Sequence, residues 1–154
     1  MISCIVSGIV PEQIPLIAEL EKKCFSSPVS ESSLRSLYVD GVGAGFVCVE
    51  SETGRVLAYG GVMCAADEAQ VLNIATCPEH RRQGLARAIL NAILEYSSKA
   101  GAEFITLEVR EGNLSAIALY KSFGFYEVGR LKKYYKSPTE DGLILKKDLS
   151  SKTI

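Results

Sequence analysis

A single histidine, no Cys-x-x-Cys pair, no apolar run of bilayer length and no surplus of either charge narrow this 154-residue chain before any motif is read. With His80 as the lone imidazole and no Cys-x-x-Cys pair to supply a zinc-ligand spacing, no metal site is expected. Cys4, Cys24, Cys48, Cys64 and Cys77 are odd in number and scattered, which argues against a closed disulfide framework and for reduced thiols. Cys4, Cys48 and Cys64 lie in strand-like stretches, where a free cysteine behaves as a small buried hydrophobe. A formal net charge of -1, from 17 basic and 18 acidic side chains mixed along the chain, provides no global field for nucleic acid or a membrane surface. Any partner must therefore be selected locally. Met1 to Val6 lacks the basic start and long apolar stretch of a signal peptide, so a cytoplasmic protein is expected. No repeat, low-complexity tract or Pro/Gly/Ser linker divides the sequence, and its length suits one core; a single domain over residues 1–154 is expected.

What is present alternates strands and helices. Residues 2–7 read as a strand, and Pro11 opens a helix carrying Ile14, Ile17, Ala18 and Leu20 on one face. Ser30 can cap a short second helix through Tyr38. Phe46–Glu50, Val56–Met63 and Ala69–Thr76 form a three-strand meander, with turns at Ser51–Arg55 and Asp67-Glu68. A long helix from about Gly84 to Lys99 places Leu85, Ala88, Ile89, Ala92, Ile93 and Tyr96 three and four apart, and Gly101 ends it. A strand at Phe104–Arg110, a helix at Leu114–Ser122 stopped by Gly124, and strands near Tyr126–Leu131 and Leu143–Lys147 complete an α/β pattern with a mixed sheet.

The turn between the third meander strand and the long helix is the most informative segment. Arg81-Arg82-Gln83-Gly84-Leu85-Ala86 follows an apolar strand and leads into a helix, where main-chain N–H groups lack intrahelical partners and the macrodipole is positive. Gly84 lets anionic oxygens approach the backbone, while Arg81, Arg82 and Arg87 add full charges. A phosphate-bearing, nucleotide-like ligand is expected there. No Lys-Ser/Thr pair follows Gly84 and no Gly-x-Gly-x-x-Gly occurs, which excludes the P-loop and Rossmann motifs.

The hexapeptide resembles the pyrophosphate loop of the GNAT N-acetyltransferase superfamily, with Arg81, Gly84 and Ala86 at its defining positions. Three further blocks are similar to the branch of RimI-like ribosomal-protein-alanine N-acetyltransferases. They are Asp67-Glu68-Ala69 into Leu72-Asn73-Ile74-Ala75; Leu107-Glu108-Val109-Arg110; and Asn113 with Ala116–Tyr120 and Phe123-Gly124-Phe125. Tyr134-Tyr135 followed by Glu140-Asp141-Gly142 is similar to that branch's closing acidic-glycine turn. The chain departs from the pattern at Pro28-Val29, where the branch commonly has Pro-Trp; the chain contains no tryptophan at all.

The resemblance implies the GNAT fold, α/β (α+β), with a central mixed, mostly antiparallel sheet flanked by helices. It implies acetyl-CoA as cosubstrate, bound by Ile74, Ala75, Thr76, Arg81, Arg82, Gln83, Gly84, Leu85, Ala86, Arg87 and Asn113. It also implies Glu108 as general base, Tyr120 as general acid toward the leaving thiolate, and a peptide groove bordered by Glu31, Tyr134 and Tyr135. The acceptor would be the N-terminal segment of a protein, a ribosomal one, with no direct nucleic-acid or membrane partner. The residues alone leave alternatives standing. Glu108 shares its strand face with Thr106 and Arg110, as a solvated carboxylate would. Tyr120 shares a helical face with Ile117 and Phe123, so packing is a second role for it. Asn113 is equally a helix N-cap. Cys77 as a covalent acetyl carrier sits before Pro78 in a turn, with no histidine base three or four residues away on a helix, and His80 is expected to be a solvated loop residue. Competing functions are a small-molecule amine acetyltransferase and a non-catalytic acyl-CoA-binding module.

Overall fold

Pro11 and Pro15 determine how the first helix begins. Pro15 lacks an N–H, so the carbonyl of Pro11 cannot receive an α-helical bond and is taken instead by the N–H of Ile14. The opening turn is consequently a 3-10 turn over Pro11–Gln13, and α1 runs Ile14–Cys24. The computed structural model describes residues 3–149, so the strand start expected at residue 2 lies outside the described residues. The remaining elements are β1 (Cys4–Gly8), α2 (Glu31–Tyr38), β2 (Ala44–Glu50), β3 (Val56–Ala65), β4 (Glu68–Thr76), α3 (Leu85–Lys99), β5 (Phe104–Arg110), α4 (Leu114–Ser122), β6 (Tyr126–Tyr135) and β7 (Glu140–Asp148). The seven strands follow the order β1-β2-β3-β4-β5-β7-β6. The sheet is mixed: β4 and β5 pair in parallel, whereas β1·β2, β2·β3, β5·β7 and β6·β7 are antiparallel.

Contacts divide the chain into two units, one formed by residues up to Met63 with Leu72–Tyr96, the other by Cys64–Val71 with the residues from Ser97 onward. In the first unit the register Val47↔Tyr59 puts both side chains into a core with Ile14, Ile17, Ala18, Leu20 and Leu34. The alternate residues of β2 and β3 face the other way, so Phe46 meets Tyr96 edge-on at 6.0 Å. Ser30 caps α2 as expected, accepting the N–H of Ser33 at 3.2 Å. Gly61 is required by close approach: a Cβ there would lie 1.9 Å from the Tyr38 hydroxyl.

In the second unit β5 alternates as its sequence dictates. Ile105, Leu107 and Val109 are buried, Glu108 is exposed, and Leu107 faces Leu145 across the β7 ladder. The parallel register with β4 comprises Glu68↔Phe104, Ala69↔Ile105 and Gln70↔Thr106.

Three expectations are corrected. Glu140, Asp141 and Gly142 begin β7 instead of forming a turn, and β6 extends through Tyr135. The acidic side chains explain this, since Asp141 accepts the N–H of Lys133 at 2.9 Å and Glu140 accepts that of Gly112, satisfying main chain on neighbouring segments. On α3, Tyr96 is 39% exposed while Leu90 is fully buried, so the core stripe is Leu85, Ile89, Leu90 and Ile93. Cys4 and Cys64 are half-buried; of the three strand cysteines only Cys48 is enclosed, its thiol pushed up to about 12 by burial.

Candidate active site

In the first unit the groups available to a ligand are main-chain groups at the end of β4 and the start of α3. Gly84 has φ +82°, a left-handed conformation that side chains with a Cβ avoid, and Arg82 beside it has φ +64°. Nothing lies within 4 Å of where a Gly84 Cβ would be, so the approach to this backbone is open. The first bond inside α3 runs from the Ala88 N–H to the Gly84 carbonyl at 3.0 Å, and the amides of Leu85 and Ala86 lie ahead of it. Main-chain N–H groups left without intrahelical partners at a helix start bind anions, and the macrodipole reinforces them. The residues therefore fit a diphosphate.

The strand that precedes this loop is tied down at its end. The Thr76 carbonyl accepts Arg81 Nε at 3.4 Å and the Cys24 thiol at 3.3 Å, and the Cys77 N–H donates to the Leu57 carbonyl at 2.8 Å. Arg81 thus shapes the loop through its own backbone neighbour.

The short 3-10 turn Pro78–His80 corrects the expectation for His80, which is half-buried, with a buried Nδ1 that has no hydrogen-bond partner among the described residues. Ligand atoms of Cys77, Glu79 and His80 lie within 4.8 Å of one another. A cation does not suit that triad, because the Arg55 guanidinium already stands 3.7 Å from Glu79 and 3.8 Å from Cys77 Sγ. Cys77 is 1% exposed and donates to Glu79 at 3.0 Å. Burial pushes its thiol up, which keeps it protonated and a poor acetyl carrier.

The second unit contains the carboxylate and the phenol that the sequence resemblance puts forward as base and acid. Glu108 projects from the exposed face of β5, and its Oε1 accepts the Tyr134 hydroxyl at 2.7 Å. That bond, more than burial, raises the Tyr134 hydroxyl. Tyr134 meets Tyr135 edge-on at 5.0 Å, and the Arg110 guanidinium sits 4.7 Å over the Tyr135 ring. Arg110 also donates to the carbonyls of Lys136 at 2.8 Å and Pro138 at 2.9 Å and to Glu140 at 3.1 Å, fixing the β6–β7 connection that follows the two tyrosines. Tyr120 is 8% exposed on α4, edge-on to Phe125 at 5.8 Å. Burial, with a smaller effect from Tyr135, pushes its hydroxyl up to about 12, so it holds its proton throughout the neutral range. The Oδ1 of Asn113 caps α4, accepting the Ala116 N–H at 3.3 Å.

Each set by itself, the backbone anion cradle of the first unit and the exposed carboxylate and buried protonated phenol of the second, is of a kind that acyl transfer to an amine uses. The comparisons with known proteins decide the family. Residues 14–125 match the model of the acetyltransferase (GNAT) family. The chain belongs to that family. It is an acetyl-CoA-dependent N-acetyltransferase. It is similar to the putative ribosomal protein bS18-alanine N-acetyltransferase of Bacillus subtilis, at 34% identity over 87% of this chain and 88% of the relative. The ribosomal protein bS18-alanine N-acetyltransferase of Escherichia coli is 33% identical over 89% of each. The crystal structure of the Escherichia coli ribosomal-protein-S18-alanine N-acetyltransferase superposes with a TM-score of 0.87 at 31% identity, covering 96% of this chain and 95% of that one.

Sequence reasoning did not single out one carboxylate that the structure makes conspicuous. Glu21 is 1% exposed and accepts hydrogen bonds from Tyr59, Asn73 and the Val29 N–H. The signal was present: positions 14, 17, 18 and 21 follow the i, i+3, i+4, i+7 spacing of a buried helix stripe, and three of them are apolar. A carboxylate in the fourth marks a built polar contact inside the core.

Proposed function

We propose that this acetyltransferase modifies the N-terminal alanine of a ribosomal protein, a bS18-type small-subunit protein, by direct transfer in a ternary complex in the cytoplasm. The substrate class rests on the two relatives of that name, each similar over nearly nine-tenths of both chains. The single geometric observation that carries the mechanism is the exposed Glu108 carboxylate held by the Tyr134 phenol. A free α-amine has a pKa near ~8, against ~10.4 for a lysine side chain, so a carboxylate base suffices to take its proton.

In this reading the Arg81–Arg87 loop holds the diphosphate of acetyl-CoA, with Arg82, Gln83, Gly84, Leu85 and Ala86 contributing main-chain donors. The β4 amides at Ile74, Ala75 and Thr76 polarise the thioester carbonyl. Asn113 contacts the cosubstrate through the amide nitrogen that its capping Oδ1 leaves over. Glu108 accepts the amine proton as the nitrogen–carbon bond forms, and Tyr120 protonates the thiolate as the carbon–sulfur bond breaks. Glu31, Tyr134 and Tyr135 border the peptide, with Val29 at the position where the resemblance to the RimI-like branch implies a tryptophan. No nucleic-acid or membrane partner is needed; among the described residues no helix is long and apolar enough to cross a membrane.

The test is acetyl-CoA consumption with short peptides differing only in their first residue, beside spermidine and an aminoglycoside. Turnover restricted to peptides that begin with Ala or Ser is expected. Turnover of the small amines alone would overturn the substrate assignment and leave the cosubstrate chemistry intact.

A further inference from the structure

Burying a carboxylate carries a desolvation penalty that an apolar side chain avoids, so a core that keeps one uses its directional bonds for something. Glu21 receives neutral donors from three segments of the first unit. Its Oε2 takes the Tyr59 hydroxyl from β3 and Asn73 Nδ2 from β4 at 3.1 Å; its Oε1 takes the Val29 N–H at 2.9 Å. Asn73 and the Tyr59 hydroxyl are themselves 3.1 Å apart, closing the network. The two oxygens thus divide their work: one holds the sheet, the other the loop between α1 and α2.

The same helical turn makes a second attachment. Cys24, three residues on, donates to the Thr76 carbonyl at 3.3 Å. Asn73 and Thr76 bracket Ile74-Ala75, so the last turn of α1 grips β4 on either side of the amides assigned to the thioester. Resting on the function proposed above, which puts the α1–α2 loop beside the acceptor, we infer that Glu21 is a positioning residue for the acetyl acceptor. Its carboxylate fixes the loop around Val29 at one spacing from the donor strand. Strand β4 has its own ladder, whereas the Val29 N–H is held by Glu21, so removing the carboxylate releases the loop and spares the strand.

The experiment compares wild type, Glu21→Gln and Tyr59→Phe. For each it measures acetyl-CoA Kd by titration, acceptor KM and kcat, amide exchange at residues 25–30 and the melting temperature. The acceptor is whichever amine the wild type turns over in the panel above, so failure of the alanine-peptide assignment shows in the wild type alone and the variants are then compared on that other amine. Glutamine has one acceptor oxygen for these three donors; with that oxygen on the Tyr59 and Asn73 pair, its NH2 faces the Val29 N–H. The expected result for Glu21→Gln is an acceptor KM raised about tenfold or more, acetyl-CoA Kd within about twofold, and faster exchange at Val29. Tyr59→Phe keeps the carboxylate and both N–H donors, and a rise of about threefold in KM is expected. Unchanged acceptor KM in the folded variants, or KM and acetyl-CoA Kd rising together, would reduce Glu21 to a core carboxylate. If Glu21→Gln does not fold, an unchanged KM in Tyr59→Phe overturns the inference by itself.

Discussion

The end of β4 with the start of α3, and the exposed face of β5 with α4, hold the groups proposed for cosubstrate binding and for proton transfer by opposite means. In the first region the donors are main-chain amides, and the side chains nearby, Arg81 and Cys24, are turned onto the Thr76 carbonyl and serve the backbone's shape. In the second the groups are side chains: a carboxylate at Glu108, hydrogen-bonded by the Tyr134 hydroxyl, and a phenol at Tyr120, whose proton is held by burial. The difference is one of sensitivity. A main-chain site survives most side-chain changes and fails where φ must be positive; a side-chain site fails on the loss of one functional group and tolerates much around it.

Glu108→Gln is the sharpest way to break that contrast. The amide oxygen of glutamine can still accept the Tyr134 hydroxyl, so the local geometry persists and only the capacity to take a proton is lost. Turnover at neutral pH is expected to fall by roughly 10²–10⁴, the usual contribution of a general base, with acetyl-CoA affinity unchanged. Parallel measurement of kcat and of acetyl-CoA binding checks this, and intact turnover would return Glu108 to an ordinary strand carboxylate.

Gly84→Val attacks the other region by conformation alone. No atom lies within 4 Å of the added Cβ, so packing is not disturbed; a β-branched residue at φ +82° is strained, by about 1–2 kcal/mol, and its side chain fills the open approach. Acetyl-CoA Kd is expected to rise at least ~tenfold while kcat at saturation stays near the wild-type value. Calorimetric titration reads the first and initial rates the second; a fall in kcat with Kd unmoved would show that the loop serves the chemistry and not the binding.

How much of this was legible beforehand follows the same division. The Gly84 loop could be read because a positive φ selects glycine, and the β5 alternation because a period of two needs only apolar and polar residues to be told apart. Strand β5 and helix α4 were read to the residue, since breakers flank them. What could not be read were pairings between residues far apart in sequence. The Glu108–Tyr134 bond spans 26 positions and Glu21–Asn73 spans 52, and no local period encodes either. The likeness to the RimI-like branch implies a turn at Glu140-Asp141-Gly142; the bonds to Gly112, Arg130 and Lys133 that draw it into β7 are tertiary. His80 was misjudged for the same reason, its burial being decided by its neighbours in space.

Tyr120 provides the smallest and most discriminating effect. Its hydroxyl is raised from an ordinary tyrosine value near ~10 to about 12 in the folded chain, chiefly by burial. The folded state therefore binds that proton more tightly than the unfolded state does. Sign follows directly: the stabilisation is complete below about pH 10, where both states keep the proton, and is lost as pH rises toward 12, on the order of 2 kcal/mol for a two-unit shift. Tyr120→Phe has no proton to lose, so its unfolding free energy should fall less steeply between about pH 10 and 12 than that of the wild type, as urea titrations at several pH values would reveal. Part of the slope must remain, because burial also raises Tyr38, Tyr59 and Tyr135. If the slope is unchanged, the Tyr120 hydroxyl is solvated and its proton is not held by the fold. The same variant assayed for turnover at neutral pH separates packing from the proposed acid role, since phenylalanine keeps the edge-on contact with Phe125 and removes only the hydroxyl.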